Sequence, residues 1–461
     1  MIPLPAFRDR TVAVLGLARS GLAAAEALRT AGAHVLAWDD DAETRQALAA
    51  AGVALTELAS LDPSGWAALV MSPGIPLTHP APHAVAARAR ATGVPVIGDI
   101  ELLWRAETGA RFLGITGTNG KSTTTTLIGH ILSEAKRPVA IGGNLGTPVL
   151  SLPTLSADGS YVIEMSSYQL DLIDRARFAV ALLLNVTPDH LDRHGDMAGY
   201  VAAKRRIFRN QITGDTAIIG VDDDWCRAVA DEIEATKARV IRISAERVVP
   251  GGVYVLDGKL IDDTGADAQE IMDLRPIARL PGAHNWQNAA AAYAACRACH
   301  LDTETITAAL ASFAGLAHRQ ELVVQHRRIR FVNDSKATNA DAAAKALACY
   351  DAIHWIAGGV AKAGGIESLA PFFPRIRHAY LIGSAAQQFQ ETLGEAVPST
   401  LCGDLPTAVR AAATAAEADA ADTPVVLLSP ACASFDQYRN FEIRGEAFRG
   451  LVLDLVAEAA R

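Results

Sequence analysis

A parallel α/β fold divided into three domains is what the sequence predicts, and three observations carry that reading. The chain has 461 residues, about three times the usual domain of roughly 150. Short β-branched runs alternate with Ala-rich stretches along most of its length, the pattern left by strands joined through crossover helices. Hydrophobic residues make up 50% and charged residues 20%, the balance of a packed globular core and not of a disordered or fibrous chain.

The elements follow in order. Thr11 to Gly16 reads as a strand that leads into a helix over Gly21 to Arg29. Further strands are expected at Val35 to Trp38, Leu69 to Ser72 and Val94 to Gly98, which complete a first domain over residues 1–105. A second set comprises Phe112 to Thr116, Val139 to Gly142, Tyr161 to Glu164, Val180 to Val186 and Ala217 to Gly220. Residues 240–280 are richer in Val, Ile, Gly and Asp and suggest antiparallel hairpins. One helical stretch from Asn288 to Phe313 then closes a second domain, residues 106–315, at Gly315. The third domain, 316–461, carries strands from Ile329 and at Ile353 to Ala357, Ala379 to Gly383 and Val425 to Ser429.

Charge narrows the function. With 42 Lys and Arg against 51 Asp and Glu, the net charge is −9, so neither nucleic acid nor an anionic membrane is an expected partner. An anionic ligand must be met locally, by glycine loops, helix N-termini and a few placed cations. The N-terminus lacks an apolar segment after a basic start, and no run reaches the roughly 18 apolar residues of a membrane span. A cytoplasmic protein is expected, and its six sparse cysteines fit thiols in a reducing compartment. Cys296-Arg-Ala-Cys299-His300 matches the c-type haem attachment string. It lies in an Ala-rich stretch that reads as a helix, so packing thiols are expected there.

The strongest motif is Gly114-Ile-Thr-Gly117-Thr118-Asn119-Gly120-Lys121-Ser122, placed between a strand and a helix. Such glycines let backbone N–H groups crowd around phosphate oxygens; Lys121 adds a compact charge, and Ser122 can hold Mg²⁺. The generic loop wants a glycine where this chain has Ile115. A weaker motif is Gly16-Leu17-Ala18-Arg19-Ser20-Gly21 followed by Asp39. It imitates a dinucleotide fingerprint with Ala18 at the middle glycine, and NAD, another phosphate-bearing ligand and a structural turn all remain open. Glu164 directly follows a strand, as a Mg²⁺-binding acid should. His190 lies in a turn set up by Pro188 after another strand. Lys204 falls one helical turn from Tyr200, which on residue type alone reads as a solvated basic face.

Together these strings, over essentially the whole chain, resemble the Mur ligases, ATP-dependent amide-forming enzymes of peptidoglycan precursor synthesis. The family loop G-T-N-G-K-S/T starts at Gly117, which accounts for Ile115. Ser72-Pro73-Gly74-Ile75, Gly143-Asn144-Leu145-Gly146, Glu164 to Leu170, Asn333 to Asn339 and Ser429 to Asp436 are closest to the branch that adds D-glutamate. The D-N-P-R string of the diaminopimelate- or lysine-adding branch is absent. The alternative is another Mur-type or folylpolyglutamate synthetase-like amide ligase.

The resemblance implies a Rossmann-like N-terminal domain, a central P-loop ATPase-like domain with a parallel sheet plus a small antiparallel sheet, and a Rossmann-like C-terminal domain. It implies a monomer that ligates D-glutamate to UDP-N-acetylmuramoyl-L-alanine through an acyl phosphate. UDP would replace NAD at Gly16, Leu17, Ala18, Arg19 and Ser20, with Asp39 or Asp40 on the uracil side and Ser72, Pro73 and Gly74 alongside. Asn144 and His190 would touch the muramoyl-alanine part. ATP would be held by Gly117, Thr118, Asn119, Gly120, Lys121, Ser122 and Thr123, with Asn288, His318, Arg319 and Asp334 around the nucleotide. Two Mg²⁺ ions are expected on Ser122, Glu164, His190 and a carbamylated Lys204. Lys336, Thr338, Lys362, Ser434 and Phe441 would grip D-glutamate. Lys121, His190, Lys204 and Lys336 are the implied catalytic set.

Overall fold

The computed structural model describes residues 2–106, 109–236, 238–277, 279–361 and 364–459. Three sheets organise them, and the chain divides into two compact units, one of residues 1–274 with 285–312 and one of residues 275–284 with 313–461.

The first unit holds two sheets. β1 (Thr11–Leu15), β2 (His34–Trp38), β3 (Ala68–Met71) and β4 (Val96–Ile97) form a parallel sheet in the order β2-β1-β3-β4. The order turns back at β1, so the loops after β1 and β3 open on the same edge. β4 is shorter than its apolar run, with only Val96 and Ile97 paired to β3. The second sheet has nine strands in the order β13-β12-β11-β10-β9-β8-β5-β7-β6. These are β5 (Arg111–Thr116), β6 (Val139–Gly143), β7 (Ser160–Glu164), β8 (Val180–Leu183), β9 (Thr216–Gly220), β10 (Arg239–Ser244), β11 (Val253–Leu256), β12 (Lys259–Asp262) and β13 (Gln269–Asp273).

Two expectations for this unit are corrected. β10 is a parallel strand beside β9, because the helix Asp224–Glu234 between them makes a crossover connection; only β11 to β13 are antiparallel. The stretch expected as one helix is two, Ala283–Ala298 and Thr303–Ser312. The break falls where His300 takes φ +64, a conformation that ends a helix. Cys296 and Cys299 are buried thiols, and burial raises the pKa of both.

The second unit is built on β14 (Glu321–His326), β15 (Ile329–Asn333), β16 (Ile353–Gly358), β17 (Ile376–Ile382), β18 (Ser399–Gly403) and β19 (Val425–Leu428), in the order β14-β15-β19-β16-β17-β18. β14 pairs antiparallel to β15 and the other pairs are parallel. Two apolar layers cover its faces, one around Trp355, Leu381 and Leu427 and one around Ile356, Tyr380 and Leu428, as alternating side chains of a buried sheet require. β14 and β18 lie at the edges, and neither reads as an apolar run in the sequence.

Candidate active site

β5 lies between β7 and β8, so chain order reverses around it and a crevice forms at its carboxyl end. Residues 117–120 occupy that point, and the helix Lys121–Glu134 starts from them. Gly120 has φ +84, and a Cβ there would stand 2.3 Å from Asn288 Oδ1, so the position admits only glycine. Asn185, in the loop after β8, accepts from Asn119 N at 2.8 Å and donates through Nδ2 to Asn119 O at 3.1 Å. This reciprocal amide pair pins the loop tip. Asp41, Asp196, Asp223, Asn339 and Asp404 each cap the helix they precede with a side-chain oxygen. The helices Lys121–Glu134 and Arg19–Thr30 follow glycine loops and have no such cap, which leaves their first-turn N–H groups to an anion.

Lys121 and Lys204 meet at this loop. Lys121 Nζ donates to Thr118 O at 2.7 Å and to Gly117 O at 2.9 Å, while Lys204 Nζ donates to the same Gly117 O at 2.8 Å. Lys204 is not on a solvated face; it is 1% exposed, with its Nζ 4.5 Å from the Tyr200 ring centroid. Burial, then the charge of Lys121, holds the Lys204 ammonium well below its ordinary pKa, shifting the balance toward the neutral amine. Tyr200 completes the contact through its hydroxyl, 3.2 Å from Thr118 Oγ1.

Glu164, at the carboxyl end of β7, is buried, and its Oε1 accepts from Asn144 Nδ2 at 2.8 Å. Its Oε2 is buried with no hydrogen-bond partner among the described residues. Ser122 is buried in the first turn of its helix. No group of three or more His, Cys, Asp or Glu side chains among the described residues forms a metal cage. The donor set therefore fits a hard cation that takes Glu164 and a hydroxyl and completes its shell with phosphate oxygens. His190, at φ +53, is half-exposed over Tyr168 with ring centroids 4.9 Å apart. Burial lowers its pKa against the opposing pull of Asp189, keeping a ring nitrogen available as a ligand.

A cavity of about 510 Å³ joins these groups to the first sheet, lined among others by Ala18, Arg19, Asn144, Lys121, His190 and Lys204. Ser20, Pro73 and Gly74 also line it. The Gly16 to Ser20 loop is held from both sides. Asp39 accepts from Leu17 N at 2.6 Å and Asp41 N at 2.9 Å, and Ser72 Oγ donates to Gly16 O at 2.8 Å. Asp39 thus ties the loop, through one carboxylate oxygen, to the turn at Asp41 that its other oxygen holds, while Asp40 is exposed and pairs with His83 at 2.8 Å. Arg193 donates to Gly74 O at 2.8 Å and Ile75 O at 3.1 Å, and its guanidinium lies 4.5 Å from the Tyr168 ring centroid. A larger cavity of about 640 Å³ is lined by Asp171, Arg205, Arg206 and Glu232. Arg205 already pairs with Glu232, and Arg206 binds the Leu170 and Ile173 carbonyls, so it offers less free chemistry.

Asn288, also in the first unit, accepts from Thr124 Oγ1 at 3.2 Å. The other expected residues belong to the second unit. Asp334 is buried at the end of β15, accepting from Gln320 N at 3.1 Å and Ser429 Oγ at 2.8 Å, and burial raises its pKa to about 7. His318 Nδ1 sits 3.1 Å from Asn333 Nδ2, and Arg319 follows it. Lys336 Nζ lies 3.9 Å from the Phe441 ring centroid. Thr338 N donates to Lys336 O at 2.8 Å, and Ser434 is buried. Lys362 lies outside the described residues. Residue pattern did not single out Asn185, Tyr168 or Arg193; Asn185 falls within the strand expected over Val180 to Val186, which ends at Leu183.

A glycine loop on an uncapped helix, an acid at the neighbouring strand end and a second glycine loop facing the same cavity are the marks of the nucleotide-binding class of α/β proteins. The chain is 53% identical over 468 residues to the UDP-N-acetylmuramoylalanine–D-glutamate ligase of Caulobacter sp. strain K31, covering 100% of both chains. It is 52% identical over 452 residues to the ligase of that name from Paramagnetospirillum magneticum, covering 98% of each. Residues 115–296 match the Mur ligase middle domain. The fold is similar to that of the UDP-N-acetylmuramate-alanine ligase of Thermotoga maritima, with TM-score 0.58 and 15% identity over 96% of this chain and 99% of that one. The chain belongs to the Mur ligase family, in the branch of the UDP-N-acetylmuramoylalanine–D-glutamate ligases.

Among the described residues no helix is long and apolar enough to cross a membrane.

Proposed function

We propose that the chain uses ATP to join the amine of D-glutamate to the L-alanyl carboxylate of UDP-N-acetylmuramoyl-L-alanine, as a cytoplasmic monomer supplying peptidoglycan precursor. The observation that carries this reading is the single cavity lined by Lys121, Asn144, His190 and Lys204 and by the Ala18 to Ser20 loop. A sugar nucleotide anchored at the first sheet can present its acid to a triphosphate at the second. The full-length relatives supply the substrate names.

A carboxylate does not condense with an amine, because its anion is a poor electrophile and oxide a poor leaving group. The carboxylate oxygen attacks the γ-phosphorus, the bond to ADP breaks, and an acyl phosphate results. The neutral glutamate amine then attacks the acyl carbon, the tetrahedral oxyanion collapses with loss of phosphate, and the nitrogen releases a proton. Both steps bring anions together, so catalysis is positioning and charge.

The ranges 1–105, 106–315 and 316–461 divide this work. In the first, Gly16, Leu17, Ala18, Arg19 and Ser20 receive the diphosphate, with Ser72, Pro73 and Gly74 beside it. Asp39 acts by holding Leu17 N, and Asp40 stands on the uracil side. In the second, residues 117–123 hold the triphosphate, Lys121 neutralises it, and Asn288 stands behind the loop. Asn144 and His190 orient the acid. In the third, His318, Arg319 and Asp334 serve the nucleotide, while Lys336, Thr338, Lys362, Ser434 and Phe441 serve D-glutamate.

Ser122, Glu164, His190 and Lys204 would hold two Mg²⁺ ions, which supply charge neutralisation and Lewis acidity at the phosphoryl oxygens when bound. The orphaned Glu164 Oε2 supports that set. As an ammonium Lys204 would repel a cation. Its buried neutral nitrogen can instead attack CO₂ and lose one proton to water, becoming a carbamate with carboxylate-like oxygens.

Phosphate release by the purified chain is expected only when ATP, UDP-N-acetylmuramoyl-L-alanine and D-glutamate are all present. L-glutamate, L-alanine and meso-diaminopimelate are expected to be poorer by about a hundredfold or more in kcat/KM. Equal turnover with meso-diaminopimelate would overturn the reading. In Gly120→Ala, left-handed backbone strain and displacement of Asn288 are expected to total about 2 kcal/mol, weakening ATP more than tenfold by calorimetric titration; an unchanged Kd would contradict the role given to this turn.

A further inference from the structure

In the second unit the loop after β15 and the loop after β19 leave adjacent strands, and one guanidinium ties them together. Arg444, on the helix Phe441–Ala459, is 1% exposed. Its Nε donates to Ser335 Oγ at 3.0 Å, and its Nη2 donates to Ser335 O at 2.9 Å and Cys432 O at 3.1 Å. Ser335 Oγ in turn donates to Phe441 O at 2.8 Å. Every one of these acceptors is neutral.

The remaining nitrogen, Nη1, is buried without a hydrogen-bond partner among the described residues. It stands at the carboxyl end of β16, 3.3 Å from where a Cβ on Gly359 would be. The acids within electrostatic reach are engaged elsewhere: Asp334 by Gln320 N and Ser429 Oγ, and Asp436 Oδ2 by Ser384 N. Burial lowers the Arg444 pKa only to about 10, so the group stays cationic at neutral pH. A buried cation with neutral partners and a spare donor is costly unless something anionic completes it.

We propose that Arg444 is the positioning residue of the amino-acid site, locking the 333–339 and 429–436 loops in register and lending them a buried positive charge, with one N–H donor still unmade, that selects a dicarboxylate amino acid. This rests on the reading of D-glutamate as substrate. Lys336, Thr338, Ser434 and Phe441 all lie on the segments that Arg444 fastens.

The test is a three-substrate kinetic analysis of Arg444→Met, Arg444→Gln and Arg444→Lys beside the unaltered enzyme, with folding followed by circular dichroism. Arg444→Met and Arg444→Gln are expected to raise the KM for D-glutamate by about thirtyfold or more, with the KM for ATP and for UDP-N-acetylmuramoyl-L-alanine within about threefold. Arg444→Lys, which keeps the charge, is expected to recover most of that loss. An unchanged D-glutamate KM in a folded neutral variant overturns the inference, as does an equal rise in all three constants. Failure of both neutral variants to fold, with Arg444→Lys normal in D-glutamate KM, also overturns it by assigning a purely structural role. If the unaltered enzyme itself releases no phosphate with D-glutamate, the substrate reading has failed instead.

Discussion

Lys121→Ala is expected to lower kcat for ligation by about a thousandfold, about 4 kcal/mol of lost transition-state stabilisation. The ammonium is fixed over the Gly117 and Thr118 carbonyls, at the start of a helix whose N–H groups have no side-chain cap. Its charge counts most when the carboxylate and the γ-phosphoryl oxygens approach each other, so kcat should fall further than ATP affinity does. Rapid-quench measurement of acyl-phosphate formation separates the two. Ligation at the normal rate would remove the central premise of the proposed mechanism, because no other described cation is placed at that loop except Lys204, whose charged form burial disfavours.

Lys204→Met is the second large effect, expected to reduce turnover by about a hundredfold or more while leaving thermal stability unchanged or raised. Methionine fills nearly the same space against Tyr200 and removes an amine that is expensive to bury as a cation. Stability and activity should therefore move in different directions, which a packing role would not produce. Enzyme equilibrated with ¹³C-bicarbonate should show a carbamate carbon by NMR, and the signal should be missing from Lys204→Met. Full activity of the variant at low Mg²⁺, or a carbamate signal that survives the substitution, would exclude Lys204 as a modified metal ligand.

The interior parallel strands β1, β5, β7 and β16 were legible because each is a short, largely apolar run beside a glycine-bearing turn, and each falls within a residue or two of that run. β14 and β18 were not, because edge strands carry polar residues and lose the apolar signature. β10 was misassigned because residues 240–280 are rich in Val, Ile, Gly and Asp throughout, and composition gives no strand direction. Among site residues, the Gly117 to Ser122 loop announces itself through spacing that only a phosphate cradle explains. Lys204 shows the opposite case. Its sequence neighbours Arg205 and Arg206 suggest solvent, and only the three-dimensional contact with Gly117 O and Tyr200 reveals a buried amine. Asn185 and Arg193 act on partners far away in the chain, information that a linear pattern does not contain. Arg444 is hidden for the same reason, since its partners Ser335 and Cys432 come together only when the third sheet forms.

The reach of Arg193 has a further consequence. One guanidinium grips the turn at Gly74 and Ile75 and stacks on Tyr168, whose ring supports His190. The turn at Gly74 and Ile75 and the ring that supports His190 are thus fastened by a single bracket, so neither shifts without the other. On the function proposed above, that bracket would act as a caliper: a molecule with the right two ends but the wrong spacer would seat one of them only by unseating the other.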